Sequence, residues 1–260
     1  KEGGKNNYCF YSEELSADSL ERLALESSLR LAVDRNEFVL HYQEKHDLRS
    51  GKITGAEALL RWQHPSLGLI QPMQFLPLAE ETGLIIPIGK WVIETACKQA
   101  NKWLEDGLPP RCISVNLTER QFTDPHLISD IANILQSTAI KPAQLELEIS
   151  ESLLLSNFDR ALETLSKIKE LGVRIAIDNF GTSYTSLSTL EKFHFDTLKI
   201  DGSVIRDIAN EPSDKQLTEA IISVGIVAEG VETQEQAEFL LDSSCDQVQG
   251  FYFDKPKSPH

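Results

Sequence analysis

The sequence is poor in the residues that form disulfides and soft-metal sites. Among its 260 residues there are four cysteines, with no CxxC pair and no zinc-type spacing between them. Its six histidines fit no H-E-x-x-H pattern. These absences exclude the common zinc motifs, and they are typical of a reduced cytoplasmic domain whose cysteines are buried free thiols.

Positive charge is also scarce. The chain has 25 Lys and Arg residues against 40 Asp and Glu residues, which gives a net charge of −15. A surface of that sign repels polyphosphates unless a basic patch or bound cations reverse the field locally. We therefore expect no binding to duplex nucleic acid, and a phosphate ligand would need cations at its site.

Hydrophobic runs long enough to span a membrane are absent. The longest apolar stretch, residues 84–93, is interrupted by Pro87, Gly89 and Lys90, whereas a span needs about 18 or more apolar residues. The opening segment KEGGKNNYCF lacks the apolar core of a signal peptide. We expect a cytoplasmic domain that makes no membrane contact of its own. Because the chain does not begin with Met, we also expect a longer parent protein, whose other part could anchor it to the inner membrane.

Apolar, β-rich runs alternate with helical patterns along most of the chain. The strand-like runs are residues 38–43, 53–62, 112–117, 144–150, 173–178, 197–201, 226–230 and 247–250. Helices are predicted at 90–106, from Asp124-Pro125 onward, at 162–171 and at 233–243. This alternation indicates parallel βαβ units and predicts an α/β fold of the TIM-like (β/α)8 barrel type. A doubly wound open sheet is the alternative, but the G-x-G-x-x-G and Walker A turns that often accompany it are absent.

Each predicted strand ends on or near a polar residue, whereas a strand buried on both faces should be almost wholly apolar. The polar residues are Gln43, Glu57 with Arg61, Asn116, Glu148 with Glu151, Asp178, Lys199 with Asp201, Glu229 with Glu232, and Gln249. In a barrel the C-terminal ends of the strands meet at one mouth, where the chemistry of such folds lies. A buried carboxylate there is costly unless it is paired or bound to a metal.

The acidic residues of this predicted mouth outnumber its cations, which are Arg61 and Lys199. The carboxylates are those of Glu57, Glu148, Asp178 and Glu229. For any single carboxylate, a salt bridge to a nearby base is the plain alternative. For the set, the surplus of acid predicts divalent cations. Carboxylate and amide oxygens without His or Cys form a hard-ligand set suited to Mg²⁺ or Mn²⁺.

The segments around these strand ends resemble the sequence blocks of the EAL domain family. EALLRW at 57–62 resembles the block that names the family. The further blocks, in order, are FLPLAEETGLI (75–85), SVNLTERQF (114–122), LELEISES (145–152), IDNFGTSYTSL (177–187), LKID (198–201), VAEGVET (227–233) and CDQVQGFYF (245–253). The resemblance covers residues 21–260 and implies a TIM-like barrel whose first strand is antiparallel to the others. It also implies hydrolysis of cyclic di-GMP to linear pGpG in bacterial second-messenger signalling, with two Mg²⁺ or Mn²⁺ ions activating the attacking water.

The first 20 residues are polar with little apolar periodicity, and they are predicted to be a tail and linker. The segment KEGGKNNYCFYSEE at 1–14 resembles the end of a GGDEF, or diguanylate-cyclase-type, domain. The resemblance therefore implies a parent protein with a GGDEF–EAL tandem. It also implies a homodimer formed through the region that follows the fifth and sixth strands.

The resemblance also gives a role to each residue that matches a family motif. The implied metal ligands are Glu57, Asn116, Glu148, Asp178 and, in the position of a second aspartate, Asn179. The implied catalytic residues are Glu57 again, with Lys199 and Glu229 orienting or deprotonating the attacking water. The implied contacts to the cyclic dinucleotide are Gln43, Leu60, Arg61 on a phosphate, and Gln249. Glu151 would anchor the loop after the fourth strand, and Asp201 and Glu232 would support the ligands from behind.

The chain departs from the family pattern at three places. Asn179 replaces the second of two adjacent aspartates, so we expect weaker binding of the second metal and either slower turnover or binding without turnover. Glu44 replaces a proline that usually follows Gln43, which should change only local stiffness. The segment between residues 222 and 227 is shorter than the family's usual loop, which leaves the pose of Glu229 open.

These observations leave three functional hypotheses. The first is a metal-dependent cyclic di-GMP phosphodiesterase, which the intact carboxylates and Lys199 favour. The second is a degenerate EAL domain that acts as a cyclic di-GMP receptor, which Asn179 favours. The third is an unrelated Mg²⁺-dependent barrel enzyme, such as one that stabilises an enolate. Incubation of cyclic di-GMP with the protein and Mn²⁺ separates them.

Overall fold

The structure is a computed structural model that describes residues 13–180, 191–203 and 226–259, with side chains from residue 22 onward. The predicted GGDEF-like tail up to residue 12, with Cys9, lies outside the described residues. So do residues 181–190 and the short segment near Gly225.

Nine strands form one sheet, and eight of them close into a ring. The strands are β1 (Phe38–Asp47), β2 (Ile53–His64), β3 (Gly68–Ile70), β4 (Cys112–Leu117), β5 (Leu145–Ser150), β6 (Arg174–Phe180), β7 (Thr197–Ile200), β8 (Ile226–Ala228) and β9 (Gln247–Val248). Around the ring the order is β1-β9-β8-β7-β6-β5-β4-β2, and β2 pairs again with β1. β3 pairs with β2 as an extra antiparallel strand outside the ring.

The first strand of the ring is antiparallel to both of its neighbours. β1 pairs antiparallel with β2, from Phe38↔Trp62 to His46↔Ile53, and antiparallel with β9. The remaining neighbours in the ring pair in parallel. The prediction of a TIM-like barrel with an antiparallel first strand is confirmed, and each predicted strand overlaps a strand of the ring.

The join between β1 and β9 is short. In the described residues, two pairs, His46↔Val248 and Asp47↔Gln247, connect these strands. Further along β1, Tyr42 forms an antiparallel bridge with Lys257 near the end of the chain. Its N–H donates to the Lys257 carbonyl at 2.7 Å, and the Lys257 N–H donates back at 3.0 Å. The C-terminal segment therefore completes the closure of the ring.

Within the described residues, α-helices follow β3, β4, β5 and β8 and cover the outside of the ring. They are α1 (Glu13–Ala32), α2 (Pro72–Thr82), α3 (Ile85–Glu105), α4 (Glu119–Phe122), α5 (Leu127–Thr138), α6 (Glu151–Ser156), α7 (Phe158–Glu170) and α8 (Gln234–Asp242), with 3₁₀ turns at Pro142–Gln144 and Glu191–Phe193. α3 buries Val92, Ile93 and Ala96 along one side, within the helix predicted at 90–106. Gly172, just beyond α7, adopts a left-handed φ of +82°, which glycine tolerates at a helix end.

The structure corrects the predicted starts of two helices. α3 begins at Ile85 rather than near residue 90, because Pro87 lies in its first turn, where the missing N–H breaks no helical bond. α5 begins at Leu127, because Asp124 accepts the N–H of His126 in the turn before the helix instead of capping it. The predicted linker is helical from Glu13 onward, as part of α1.

The interior of the ring is polar, and the apolar core lies between the ring and its helices. In β5 the leucines and isoleucine at 145, 147 and 149 alternate with Glu146 and Glu148, and all are buried. Since neighbours along a strand point to opposite faces, the apolar side chains meet the helices and the glutamates enter the ring. Contacts across the ring agree, because Lys199 of β7 reaches Glu57 of β2, which is not its neighbour in the sheet.

No helix in the described ranges is both long and apolar enough to cross a membrane. Cys97 and Cys245 are buried and Cys112 is partly buried, and none of them forms a disulfide. Burial raises the pKa of Cys97 to about 12 and that of Cys245 to about 11. Such thiols stay protonated and are poor nucleophiles, as expected for buried free cysteines.

Candidate functional site

Four carboxylates meet at the mouth of the ring around the ammonium of Lys199. Lys199 is almost fully buried on β7, and its Nζ lies 2.5 Å from Glu148 Oε2 and 2.6 Å from Glu229 Oε1. It lies 3.4 Å from Glu57 Oε2 and 3.6 Å from Asp178 Oδ1. The strands that carry these residues are β2, β5, β6 and β7, with Glu229 directly after β8. The predicted convergence of the strand ends is therefore present.

Three carboxamides complete the polar wall around Glu57. Asn116 Nδ2 donates to Glu57 Oε1 at 2.7 Å, and Gln249 Nε2 donates to Glu57 Oε2 at 2.7 Å. Gln249 Nε2 also donates to Gln43 Oε1 at 3.0 Å, while Gln43 Nε2 donates to the Asp254 carbonyl at 3.0 Å. The Oε1 atom of Gln249 is buried and has no hydrogen-bond partner within residues 22–180, 191–203 and 226–259. A buried acceptor of this kind is costly, and a cation or a donor at the mouth would satisfy it.

A cavity of about 230 Å³ opens above these groups. Its lining residues include Gln43, Glu57, Asp178, Lys199, Glu229, Glu232, Gln249 and Phe251. A second, apolar cavity of about 280 Å³ lies beside it, lined by Leu60, Pro72, Ile85 and others, and shares Asn116 of the mouth. A larger space of about 970 Å³ lies between α1, α2 and the β2–β3 hairpin, away from the carboxylates.

The charges of the mouth are strongly coupled. Burial opposes ionisation of Glu57, but Lys199 and Lys45 outweigh it and lower the pKa of Glu57. Burial also opposes the charge of Lys199, yet the surrounding carboxylates raise its pKa well above the ordinary value. For Glu229, burial and repulsion from Asp178 and Glu57 exceed the pull of Lys199 and raise its pKa to about 8. The mouth thus holds more acid than one ammonium neutralises.

The donor atoms of the mouth fit a hard divalent cation. They are carboxylate and carboxamide oxygens, which is the ligand chemistry of Mg²⁺ and Mn²⁺. In the part of the chain that the structure describes, no three acidic, His or Cys side chains are placed to hold one ion together. The Lys199 ammonium stands at the point where the carboxylates converge, so cations would share these oxygens with it.

Asn179 follows Asp178 in a left-handed conformation with a φ of 58°. Its backbone N–H donates to Asp178 Oδ1 at 2.8 Å, and its side-chain Nδ2 donates to Asp178 Oδ2 at 3.0 Å. Both hydrogen bonds stabilise the Asp178 carboxylate. An aspartate in this position could not donate the second one.

The other predicted residues lie around the mouth with different surroundings. Arg61 donates to the Leu60 carbonyl at 2.8 Å. Asp201 accepts from the N–H and the Oγ of Ser203, at 2.8 and 2.5 Å. Glu232 is exposed at the rim of the cavity.

The carboxylate of Glu151, the first residue of α6, is buried. The residue is 1% exposed, and neither of its carboxylate oxygens has a hydrogen-bond partner among the described residues. Glu151 is predicted to anchor the loop after the fourth predicted strand, residues 144–150, and α6 begins directly after that strand. That role stays a prediction.

A further cation, which was not among the predicted residues, lies inside the ring. Lys45 of β1 is buried, and its Nζ donates to Glu148 Oε1 at 2.8 Å and to Glu146 Oε1 at 3.0 Å. The count of two cations, Arg61 and Lys199, was therefore too low. The sequence did contain an indication of it. Side chains two residues apart in a strand point to the same face, so Lys45 lies on the same face of its strand as Gln43.

The model of the EAL domain family matches residues 26–256. The chain belongs to the EAL domain family.

Two curated relatives align with nearly the whole chain. The bifunctional diguanylate cyclase/cyclic di-GMP phosphodiesterase MucR of Pseudomonas aeruginosa is 43% identical over 262 residues, which cover 98% of this chain and 38% of MucR. The cyclic di-GMP phosphodiesterase PdeR of Escherichia coli is 37% identical over 262 residues, which cover 98% of this chain and 39% of PdeR. This EAL domain chain thus spans about two fifths of the length of these relatives.

Solved EAL domains have the same fold. The phosphodiesterase PaMucR in complex with c-di-GMP superimposes with a TM-score of 0.85 at 43% identity, over 90% of this chain and 98% of that one. The FimX EAL domain of Pseudomonas aeruginosa bound to c-di-GMP gives a TM-score of 0.82 at 25% identity, over 91% of this chain and 96% of that one.

Proposed function

We propose that this EAL domain is a phosphodiesterase that hydrolyses cyclic di-GMP to linear pGpG. The observation that carries the proposal is the convergence of Glu57, Glu148, Asp178 and Glu229 with the carboxamides of Asn116 and Gln249 beside one open cavity. Relatives that match almost the whole chain bear the name cyclic di-GMP phosphodiesterase, which supports the same reaction.

We propose that the metal ions are two Mg²⁺ or Mn²⁺ ions. Glu57, Asn116, Glu148 and Asp178 would hold them, with Asn179 as a weaker ligand of the second. When bound, such ions neutralise the phosphodiester, lower the pKa of a coordinated water and stabilise the leaving oxygen. Their positive charge would also make this acidic mouth attractive to an anionic nucleotide.

The remaining residues of the mouth would bind and orient the reactants. Glu229 lines the cavity and can accept a proton from the attacking water, while Lys199 fixes the orientation of the Glu229 carboxylate at 2.6 Å. In the reaction the water oxygen forms a bond to phosphorus, the bond from phosphorus to the 3′ oxygen breaks, and that oxygen takes up a proton. Arg61 would pair with a phosphate.

The apolar cavity beside the mouth would accept a guanine base. Leu60 and Ile85 supply apolar walls, and Asn116 connects this cavity to the carboxylates. A flat base with polar edges suits such a pocket, because the walls exclude water while the polar groups fix orientation. Gln43 and Gln249 would contact the ligand on the other side of the mouth.

We further propose that the domain acts within a longer GGDEF–EAL protein and as a homodimer. The resemblance of residues 1–14 to the end of a GGDEF domain supports the first statement, as does the similarity to the bifunctional relative MucR. Size-exclusion chromatography with light scattering tests the dimer, and a monomeric mass at micromolar concentration would contradict it.

The test of the activity is incubation of cyclic di-GMP with the protein and Mn²⁺, followed by chromatography for pGpG. We expect product with the native chain and none with Glu57→Gln, which removes one carboxylate of the mouth. Glu163→Gln, a neutralisation on the exposed face of α7, is the matched control and should retain full activity. Binding of cyclic di-GMP without product after long incubation would overturn the proposal in favour of the receptor hypothesis.

A further inference from the structure

A second polar cluster lies inside the ring, one layer below the mouth. Its centre is the ammonium of Lys45, which is 3% exposed. Lys45 Nζ lies 2.6 Å from Ser114 Oγ, 3.0 Å from Glu146 Oε1 and 2.8 Å from Glu148 Oε1. An ammonium has three N–H donors, so each of them has one acceptor here. Lys45 is therefore held in a single position without any need for water.

Glu146 fixes this cluster from the side away from the mouth. Its Oε1 also accepts from Ser114 Oγ at 2.8 Å. Its Oε2 accepts from Thr197 Oγ1 at 2.8 Å and from Arg174 Nε at 3.3 Å. Because both carboxylate oxygens are satisfied, Glu146 is a rigid support for the lysine.

Glu148 is in turn held from two sides. Lys45 binds Oε1 from below, and Lys199 binds Oε2 from the mouth at 2.5 Å. Because Oε1 is bound by Lys45, Oε2 is the oxygen that lies toward Lys199 and the mouth. The reversed direction of β1 makes this possible, because the strand carries Gln43 at the mouth and Lys45 two residues deeper on the same face.

We propose that Lys45 is a positioning residue that fixes the Glu148 carboxylate so that Oε2 is presented to a divalent cation. The inference rests on the proposed function, since the cation site is that of the phosphodiesterase. Two effects of Lys45 oppose each other. Its charge repels a nearby metal ion, whereas its hydrogen bond orients the Glu148 carboxylate. A gain in Mn²⁺ affinity on removing Lys45 would mean that repulsion dominates, and a loss would mean that orientation dominates.

The test is titration of the full chain with Mn²⁺ by isothermal calorimetry, without substrate. We expect Lys45→Met to weaken Mn²⁺ binding by about tenfold or more, the usual effect of removing a group that orients a metal ligand. Arg174→Met is the matched control, because it removes one positive charge from the same cluster but Arg174 contacts Glu146 rather than Glu148. It should change Mn²⁺ affinity far less. Unchanged or tighter binding in Lys45→Met, or equal losses in both variants, would overturn the inference.

The single variant removes a buried positive charge and one hydrogen-bond donor from each of Glu146 and Glu148, and it could fail to fold. The double variant Lys45→Met/Glu146→Gln restores the charge balance and should fold while keeping the loss of Mn²⁺ affinity. Native affinity in the folded double variant would refute the positioning role. Absence of Mn²⁺ binding by the native chain would instead contradict the proposed function, whereas binding that is insensitive to Lys45 would contradict this inference alone.

Discussion

At the scale of single residues, the two hydrogen bonds from Asn179 to Asp178 distinguish this mouth from one with two adjacent aspartates. An amide partner stabilises the Asp178 carboxylate in the absence of a cation. A second carboxylate would repel it and so would increase the need for a metal ion. Asparagine at position 179 therefore has two effects. It stabilises Asp178 when no cation is bound, and it removes one negative charge that would attract the second cation.

Restoring the aspartate should strengthen metal binding. We expect Asn179→Asp to raise Mn²⁺ affinity by about tenfold, because the charge of the ligands tunes the affinity of hard-ion sites, and to raise turnover at limiting Mn²⁺. Calorimetry and pGpG production at a series of Mn²⁺ concentrations measure both. Asn36→Asp is the control, since Asn36 is exposed and has a similar φ of 54°. No gain over this control would show that Asn179 is not the limiting ligand.

Glu146 should contribute to the stability of the domain above pH 4.5. Burial opposes its ionisation, but Lys45, Thr197 and Ser114 lower its pKa from 4.5 to about 2. The stabilisation is complete above the unfolded value and is lost as the pH falls from 4.5 towards 2, by an amount on the order of 3 kcal/mol. Urea unfolding measured across this pH range should show that the free energy of unfolding falls more steeply with decreasing pH in the native chain than in Glu146→Gln. If the free energy of unfolding depended on pH equally in both proteins, Glu146 would not be the source of this stabilisation.

At the scale of secondary structure, the sequence was most informative where its pattern was periodic. The β-rich run at 144–150 predicted β5 with Glu148, and the helical pattern at 90–106 predicted most of α3. The helix α2 and the short strand β3 were not predicted. α2 contains Pro77 in its interior, and β3 has three residues, too few for a period of two to be visible.

The cluster around Lys45 could not be predicted by position in the barrel alone. The other strands of the ring run toward the mouth, so their last residues lie there. β1 runs in the opposite direction, so the residues that follow Gln43 lie farther inside the ring. Only the pairing partners show that Lys45 lies below Gln43 and reaches β5. The antiparallel direction was implied by family resemblance, whereas its consequence for Lys45 needed the structure.

The turn after β9 should not tolerate a side chain. A Cβ atom on Gly250 would lie 2.2 Å from the Val231 carbonyl oxygen and 2.3 Å from its nitrogen, so backbone would have to move. We expect Gly250→Ala to cost about 1–3 kcal/mol in the free energy of unfolding. It should also lower turnover, because Gln249 is adjacent and contacts Glu57.

The matched control for this variant is Gly68→Ala. Gly68 has a left-handed φ of +73° and open space around its Cβ position, so alanine there strains the backbone without a clash. It lies in the β2–β3 hairpin, and turnover of the folded protein should be unchanged. Thermal melts measure the loss of stability in each variant, and pGpG assays measure the loss of turnover. An equal loss of turnover in both variants would contradict the role of the Gly250 turn.

At the scale of the whole molecule, the net charge of −15 and the acidic mouth predict that divalent cations stabilise the folded state. A ligand that binds only the native chain at 100 times its Kd adds about 2.7 kcal/mol of stability. We expect Mn²⁺ to raise the melting temperature by several degrees and EDTA to reverse the shift, as scanning fluorimetry would show. Glu57→Gln should reduce the shift. Equal shifts in both proteins would place the ions elsewhere.

The short join between β1 and β9 has a mechanical consequence. Two residue pairs connect the strands, and the chain end adds the bridge between Tyr42 and Lys257 and the Asp254 carbonyl that Gln43 donates to. β9 is joined to β8 by two residue pairs as well, so within the described residues both sides of β9 are short and the ring is expected to open beside this strand. Because Gln43 donates to the Asp254 carbonyl and accepts from Gln249, a displacement of the C-terminal segment would be transmitted directly to the side chains at the mouth.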